Sequence, residues 1–593
     1  MAVALLNINL DLLPMKAQFF LWNAGTAPIV PFLTTYARQL GFSSFIVGTI
    51  YLVLPVMGML AKPLFGAVAD RYQCQKLLFL IFQVVTAASF FIIQFIPEIT
   101  SDTPMVLGCH DVAFLNVCKN TTADNCLMDS VYSEIENEGA IKCEMHCKAE
   151  DQKLWGEVCK TWDVPEACNN NKPVSFGVQV EPNKTLKEKN CLFLRISKAE
   201  FSHKLVPYVY CSNFTSSTCD VKCQNPAITE FASLSVSDSQ ATTLYQFWVF
   251  FGLLISSWIG MAVVVSLGDA ICFGMLGDNP SRYGQQRLWG AVGWGIFSVI
   301  AGVLVDEFSR GQTKKDYTSI FYLMLIMLVL DMLVSSRLKY SQTKLSSSIV
   351  KDVGKLVTEP HVVVFMLWIV TVGLCTGLLW QFLFWHLEDL ALAEGCDMQY
   401  WVKTLEGLVM GVQCFGGELP FFFLSGRILK KIGHVHAMTL VLLGIAVRFI
   451  LYSVLSNPWW CLPIELFQGI TFGIFYATMA SYASIVAPPG TEATVQGLVG
   501  ALFEGIGVSL GSLLGGTLFG LYGGGVTFRI YGLGALVMFF IHAGVQYFLS
   551  SRPRYNIQPK VTSMVGFPPG LSEGCHIHCL LEHERFGWIY SWG

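Results

Sequence analysis

Two charge-free runs near the start of the chain constrain its fold more than any other feature. Between Arg38 and Lys62, and again between Lys76 and Glu98, more than 20 consecutive residues carry no charge. Each run is long enough to cross a hydrocarbon core of about 30 Å as a helix. Between them, the stretch KPLFGAVADRYQCQK from Lys62 to Lys76 brings together Gly66, Asp70, Arg71 and Lys76 and reads as the polar tip of a membrane hairpin. A second tip, SGRILKKIG from Ser425 to Gly433, carries Arg427, Lys430 and Lys431. One basic tip after the second helix of each half divides the chain in two. Gly66 and Gly426 are expected to let helices approach closely there while the charges stay in water. Two unrelated basic loops are the plainer alternative.

A soluble fold is excluded on composition. With 53% hydrophobic and 13% charged residues among 593 and a mean hydropathy of +0.52, the chain cannot hide its apolar surface in a water-soluble core. A net charge of −4 gives no basic field for nucleic acid. Residues 1–15 lack a basic n-region and a small-residue cleavage site, so the first helix is expected to act as its own uncleaved signal anchor.

Apolar spans fall at about 17–37, 42–61, 77–97, 242–268, 288–305, 317–335, 361–387, 405–426, 434–456, 461–487, 493–522 and 530–550. The expectation is an all-α membrane protein of twelve transmembrane helices. The corresponding segments are helices one to three in 1–97, a Cys-rich insert in 98–241, helices four to six in 242–336, a cytoplasmic linker in 337–360, helices seven to twelve in 361–550 and a cytoplasmic tail in 551–593. The face holding Arg71, Lys76, Arg337, Lys339, Lys344, Lys351, Lys355, Arg427, Lys430, Lys431, Arg552 and Arg554 carries about 16 Lys and Arg, against about six in the short opposite loops. That face is therefore expected to be cytoplasmic, with both termini on it. Pro28 and Pro31 in the first span, and Gly505, Gly507, Gly511, Gly515 and Gly516 in the eleventh, suit bending and close packing.

Residues 98–241 hold 11 of the chain's 19 cysteines: Cys109, Cys118, Cys126, Cys143, Cys147, Cys159, Cys168, Cys191, Cys211, Cys219 and Cys223. A disulfide-stabilised external insert follows, because luminal cysteines oxidise. Zinc at Cys143, His146 and Cys147, or at Cys219 and Cys223, is the weaker reading, so no metal and no cofactor are expected. Three glycosylation sequons, at Asn120, Asn183 and Asn213, lie in this same loop and agree with the charge-derived orientation. Cys396 in the next large outer loop would make the cysteine number even, and Cys461 competes with it for a bridge to the insert. The CHIHC run from Cys575 to Cys579 is read as incidental to a tail.

An ionisable side chain inside a spanning helix is costly unless it faces a cavity or a partner. Glu418, Arg448, Glu465 and Glu504 fall in helices eight to eleven, three acids around one base, with Gln468 on the face of Glu465. This set is expected to trade protons or cations against an internal counter-charge. A structural Arg–Glu pair is the alternative. His386, Glu388 and Asp389 in WHLEDL read as a helix end in the outer vestibule. In the first half, Asp269 and Arg287 lie symmetrically about Asp278, so a helical hairpin would set them opposite each other. Trp294 follows Arg287 by two helical turns on the same face, and these three are the expected solute site. Arg287 as a mere positive-inside anchor is the alternative there.

The motif PLFGAVADRYQCQK resembles the loop between helices two and three of the major facilitator superfamily, with Gln73 where that loop usually has glycine. The oligosaccharide–proton and nucleoside–proton symporters are its bacterial relatives. The resemblance implies two six-helix halves, and Gly66, Asp70, Arg71 and Lys76 as the gating loop. In the bacterial lactose permease an acid, an Arg and a Trp with the spacing of Asp269, Arg287 and Trp294 hold the sugar. Counting from the Ile432-Gly433 pair places Arg448 on that permease's coupling arginine, and Glu418 is similar to a nucleoside-permease helix-eight acid. Its His and Glu on helix ten fall here on Gln468 and Thr471, so that proton site is not reproduced. WHLEDL, GELPFFFLSGR, YGQQRLWGAVGWG and the Cys-rich loop resemble most the animal "major facilitator superfamily domain-containing protein six" branch, which is associated with surface-receptor behaviour.

The leading expectation is thus a symporter-like secondary transporter of a small polar organic solute, a sugar or a nucleoside, working in a lipid bilayer of the plasma membrane or endomembranes. A receptor that uses residues 98–241 to bind an extracellular protein ligand is the alternative. No nucleophile–base set or phosphate loop marks the chain as an enzyme.

Overall fold

The computed structural model describes residues 12–338 and 359–551, apart from 73, 100–102, 119–127, 129–130, 133, 136–137, 148–151, 165–173, 189–190, 202–203, 233–236, 277–282, 311–313, 396–397, 399 and 487–491. The CHIHC run, Cys126, Cys168, Cys396, Asn120, Gln73 and residues 339–358 of the expected 337–360 linker lie outside these residues, as do the side chains of Asp70 and Arg71.

The membrane part is helical throughout. The first expected span is broken: α1 (Leu13–Thr26) and α2 (Leu33–Gln39) flank a turn containing Pro28 and Pro31, where the missing N–H groups interrupt the ladder. Then come α3 (Ser44–Tyr72) and α4 (Gln75–Ile93), the insert, α5 (Tyr245–Leu276), α6 (Tyr283–Phe308), α7 (Thr318–Ser336) and α8 (Pro360–Glu394). The chain continues through α9 (Val402–Ile432), α10 (His434–Ser453), α11 (Pro458–Ala483) and α12 (Gly497–Leu549). Among the described residues ten helices are long and apolar enough to cross a membrane. That differs from the expected twelve in two places: α1 and α2 fall short, and the last two spans run together in α12. Gly523 nevertheless breaks α12, with φ 75° and ψ 172°, a conformation that side-chain-bearing residues rarely adopt.

The Lys62–Lys76 tip is tighter than its polarity suggests. Helix α3 continues to Tyr72, through Pro55 and Pro63, so Gly66, Asp70 and Arg71 lie on its last turns and the turn itself is only two residues long. Nothing lies within 4 Å of where a Cβ on Gly66 or Gly426 would sit, so neither glycine serves close packing. Close approach occurs elsewhere. A Cβ on Gly48 of α3 would meet Ser512 O of α12 at 2.6 Å, and one on Gly407 of α9 would meet Ser298 O of α6 at 2.6 Å. Within the second half, a Cβ on Gly507 of α12 would lie 2.8 Å from Gly373 Cα of α8. These small residues let backbones touch where no hydrophobic effect drives helices together.

The insert is built on a β-barrel, with short helices at Gln152–Thr161, Pro226–Ala232 and Asp238–Ala241 outside the strands. Strands β1 (Pro104–Cys109), β2 (Ala113–Cys118), β3 (Ile141–Cys147), β4 (Val174–Glu188), β5 (Cys191–Phe201), β6 (Lys204–Val206) and β7 (Thr215–Cys223) pair antiparallel in the order β2-β1-β7-β3-β4-β5-β6. Strand β2 also pairs with β5, which closes six of them into a ring and leaves β6 on its edge. Strict alternation drives this: in β3, Ile141, Cys143, Met145 and Cys147 point inward while Lys142, Glu144 and His146 face out. Disulfides Cys109–Cys211, Cys118–Cys191, Cys143–Cys223 and Cys147–Cys219 staple the barrel, and Cys159 is disulfide-bonded as well. Cys143, Cys147, Cys219 and Cys223 are thus cross-strand bridges rather than zinc ligands. Cys461 is free and buried in α11, which removes it as a partner for the insert.

Candidate functional site

A cavity of about 100 Å³ lies where the two halves meet. The first half contributes Trp22 and Asn23 from α1, Tyr51 from α3 and Arg287 and Trp294 from α6. The second contributes Trp380, Gln381 and Phe384 from α8 and Gln413 from α9. Aromatic walls with a few amide and charged groups suit a flat or hydroxylated polar solute. Arg287 is only 7% exposed and lies over the Phe19 ring at 5.2 Å. Its Nη1 is 3.3 Å from Asp269 Oδ1, across the α5–α6 hairpin. Asp269 itself is not part of the cavity wall and stands behind Arg287. Tyr51 Oη is buried without a hydrogen-bond partner, and the buried Gln381 carboxamide has none among the described residues. Both residues line the cavity.

Next to this cavity, and sharing Leu379 and Trp380 with it, a smaller pocket is lined by the buried Arg448, Gln468 and Thr471. Arg448 is fully buried. Its Nη2 pairs with Glu465 Oε2, its Nη1 donates to Gln468 Oε1 at 2.6 Å and Thr471 Oγ1 at 2.8 Å, and its Nε donates to Tyr452 Oη at 3.2 Å. Tyr452 Oη in turn donates to Glu465 Oε1. Gln468 Nε2 reaches Glu418 Oε1 at 3.1 Å, and Gln413 Nε2 reaches Glu465 Oε2 at 2.7 Å. Four of the five guanidinium N–H donors meet acceptors, one of them the carboxylate that a buried charge requires.

The second half contains three stretches of π-helix: Gln413–Glu418 in α9, Gly469–Ile474 in α11 and Ala501–Val508 in α12. A π turn rotates the side chains that follow it and frees backbone groups, and such turns cluster at functional sites. The first carries Gln413 and Glu418, the second begins just after Gln468, and the third carries Glu504. Glu504 does not join Arg448. It pairs across the halves with Lys62 of α3, Nζ to Oε2 at 3.3 Å.

On the side from which the insert projects, charged bonds pin the halves together. Arg38 Nη1 meets Glu388 Oε2 at 3.1 Å, Arg38 Nη2 meets Asp389 Oδ1 at 2.5 Å, and Trp385 Nε1 donates to Thr34 O at 2.9 Å. Lys403, 0% exposed, bonds both Glu388 and Glu406, and the Thr404 N–H donates to Asp306 Oδ2 at 2.5 Å. His386 Nε2 lies 3.0 Å from Tyr452 O, so WHLEDL is interlocked with both the charge network and the other half. On the far side, Lys76 Nζ caps the end of α7 through Ser336 O at 2.7 Å and Leu338 O at 2.8 Å.

Several of these residues escaped the sequence reading. Gln413, Gln381 and Tyr452 carry no charge, and hydropathy does not flag them. Arg38, Lys403 and Glu406 do carry charge, but they lie at span ends, where an ion is unremarkable until its burial is known.

The comparisons with known proteins agree with this architecture. Major facilitator superfamily domain-containing protein 6-like from Danio rerio is 23% identical over 523 residues, spanning 88% of this chain and 84% of that protein. Maltose permease from Geobacillus stearothermophilus is 24% identical over 281 residues, 46% of this chain and 65% of the permease. The crystal structure of the nucleoside transporter NupG superposes with a TM-score of 0.56 at 13% identity, covering 91% of this chain and 99% of that one. The MFS_1 like family matches residues 12–530, most of the chain, and the protein belongs to that family of the major facilitator superfamily.

Proposed function

We propose that this chain is a secondary transporter that moves a small polar organic solute, a sugar or a nucleoside, by alternating access of two six-helix halves. Counting α1 and α2 as one crossing and dividing α12 at Gly523 gives twelve crossings. In this reading the insert is extracellular and glycosylated, both termini are cytoplasmic, and the bonds around Arg38 close the outer side, so the cavity opens inward. A maltose permease and a nucleoside transporter among the similar proteins support a carrier of hydroxylated solutes.

The observation that carries the proposal is the cavity shared between the halves, with Arg287 and Trp294 on one wall and Gln413, bonded to Glu465, on the other. A solute there touches both halves and is one bond away from the Arg448–Glu465 pair. That contact provides a route by which solute binding shifts the charge network and, if a proton is carried, couples to it. Uptake of labelled nucleosides and sugars into proteoliposomes, with and without a pH gradient, tests the reading. Accumulation of a panel member that is abolished by Trp294→Ala supports it. Absence of uptake of the whole panel, by protein shown to be folded, refutes the substrate class.

A further inference from the structure

Away from the cavity, α4 and α7 share a fully buried acid that the transport reading does not use. Asp331 lies in the last two turns of α7. Gln83 Nε2 donates to Asp331 Oδ2 at 2.7 Å and to Ser335 Oγ at 3.0 Å, which uses both amide hydrogens. Two oxygens are then left over. Asp331 Oδ1 and Gln83 Oε1 are both buried, and both lack a hydrogen-bond partner.

Among the described residues no Lys, Arg or His lies within ion-pair distance of Asp331. The charged groups on the helices packed around it are engaged or distant. Lys76 on α4 is spent on the Ser336 and Leu338 carbonyls, Arg287 on α6 pairs with Asp269, and Asp306 on α6 pairs with Lys315 at the opposite end. Glu307, next to Asp306 on α6, pairs with Arg310, and neither Lys16 on α1 nor Arg337 just past α7 pairs with the carboxyl. An ionised carboxylate here would face apolar helices with one amide N–H for company, and the two buried oxygens would stay unfilled.

We propose that Asp331 is a proton-binding site, protonated on Oδ1 and donating to Gln83 Oε1, so that carboxyl and carboxamide close into a cyclic acid–amide pair. One proton satisfies both orphaned oxygens. It leaves the existing Nε2–Oδ2 and Nε2–Ser335 bonds in place and removes the buried charge. A metal cation fits less well, because one carboxyl and one amide oxygen fall short of the six or more oxygens that hard cations collect. Gln83 follows Lys76 by two helical turns on α4, so the pair extends the Lys76 cap. Together they fasten the end of α7, where the inter-half linker begins, to the helix that follows the gating loop.

The test uses full-length protein in nanodiscs. Infrared spectra should contain the C=O stretch of a protonated carboxyl at neutral pH that is missing from Asp331→Asn. Asn can reproduce both arms of the pair, donating from Nδ2 and accepting at Oδ1, so Asp331→Asn should melt with the wild type at neutral pH while Asp331→Ala melts well below it. At alkaline pH the wild type should lose stability that Asp331→Asn keeps, because only the acid can ionise. The proposal is overturned if no carboxyl band depends on Asp331, or if Asp331→Asn is as unstable as Asp331→Ala. Stabilisation by sodium over choline that disappears in Asp331→Asn would likewise overturn it in favour of a metal cation. Where Asp331→Asn yields no protein, Gln83→Leu removes the acceptor and should shift the band to higher frequency, and an unshifted band refutes the pair.

Discussion

Gln413 Nε2 donates to Glu465 Oε2 at 2.7 Å while Gln413 itself forms part of the cavity wall. An uncharged side chain therefore joins the cavity to a fully buried ion pair of the second half. Gln413→Leu removes that donor but leaves Glu465 paired with Arg448. We expect folded, surface-expressed protein whose uptake falls at least tenfold, with a stability loss of about 1.5–3 kcal/mol for a hydrogen bond to a charged group. Uptake and thermal unfolding measured on the same preparation check this, and undiminished uptake would remove Gln413 from the mechanism.

Arg448 satisfies four acceptors, so its loss strands a charge. Arg448→Gln should destabilise the protein by about 3–5 kcal/mol, because Glu465 is left buried without a counter-charge. Arg448→Gln combined with Glu465→Gln should recover part of that stability, since neither charge remains. Gradient-driven accumulation should be lost in both. Thermal unfolding in detergent beside proteoliposome uptake separates the two roles: full accumulation by Arg448→Gln would contradict a coupling role, and failure of the double variant to recover stability would contradict the pairing.

How much of this was legible in the sequence depended on what kind of force fixes each element. Lipid imposes long apolar spans, so most of the helices could be read directly, and the spacing of Asp269, Arg287 and Trp294 followed from helix geometry alone. Depth along a helix could be read, but direction around it could not. Glu504 has the depth of the Arg448 cluster, yet it faces Lys62 across the halves. Gly66 and Gly426 looked like packing residues and touch nothing, while Gly48 and Gly407 carry the close contacts. The barrel was hidden because its strands are held by pairings distant in sequence, such as β1 with β7, that no local pattern announces.

The insert-side bonds predict a gate. Gly302 of α6 lies against the Lys403 carbonyl of α9, so Gly302→Val should force the halves apart beside the Arg38–Glu388 and Thr404–Asp306 bonds. Arg38→Gln should act in the same direction more gently. Cysteines placed at the cavity should become accessible to impermeant thiol reagents from the insert side in both variants, in the order Gly302→Val above Arg38→Gln. Unchanged accessibility in both would show that these contacts do not hold that side shut.

The insert should behave as an external, disulfide-dependent unit. Asn183 and Asn213 are exposed on it, and Asn183→Gln and Asn213→Gln should each remove one glycosidase-sensitive step in gel mobility. Replacing Cys143 and Cys223 by Ser opens a bridge between residues 80 apart in sequence, which should cost about 2–5 kcal/mol and reduce surface expression. An epitope at residue 183 that is reachable only after permeabilisation would reverse the orientation.

The central claim is that the cavity between the halves holds the solute through Arg287 and Trp294. Equilibrium binding of the transported solute to purified wild type, Arg287→Lys and Trp294→Ala tests it most directly. Lys keeps the positive charge of a mere anchor but loses the planar fork that grips a hydroxyl pair or a carboxylate. The account predicts at least a tenfold loss of affinity in each variant, about 1.4 kcal/mol, in protein that unfolds at the wild-type temperature. Wild-type affinity in Arg287→Lys and in Trp294→Ala would place the solute elsewhere and contradict it.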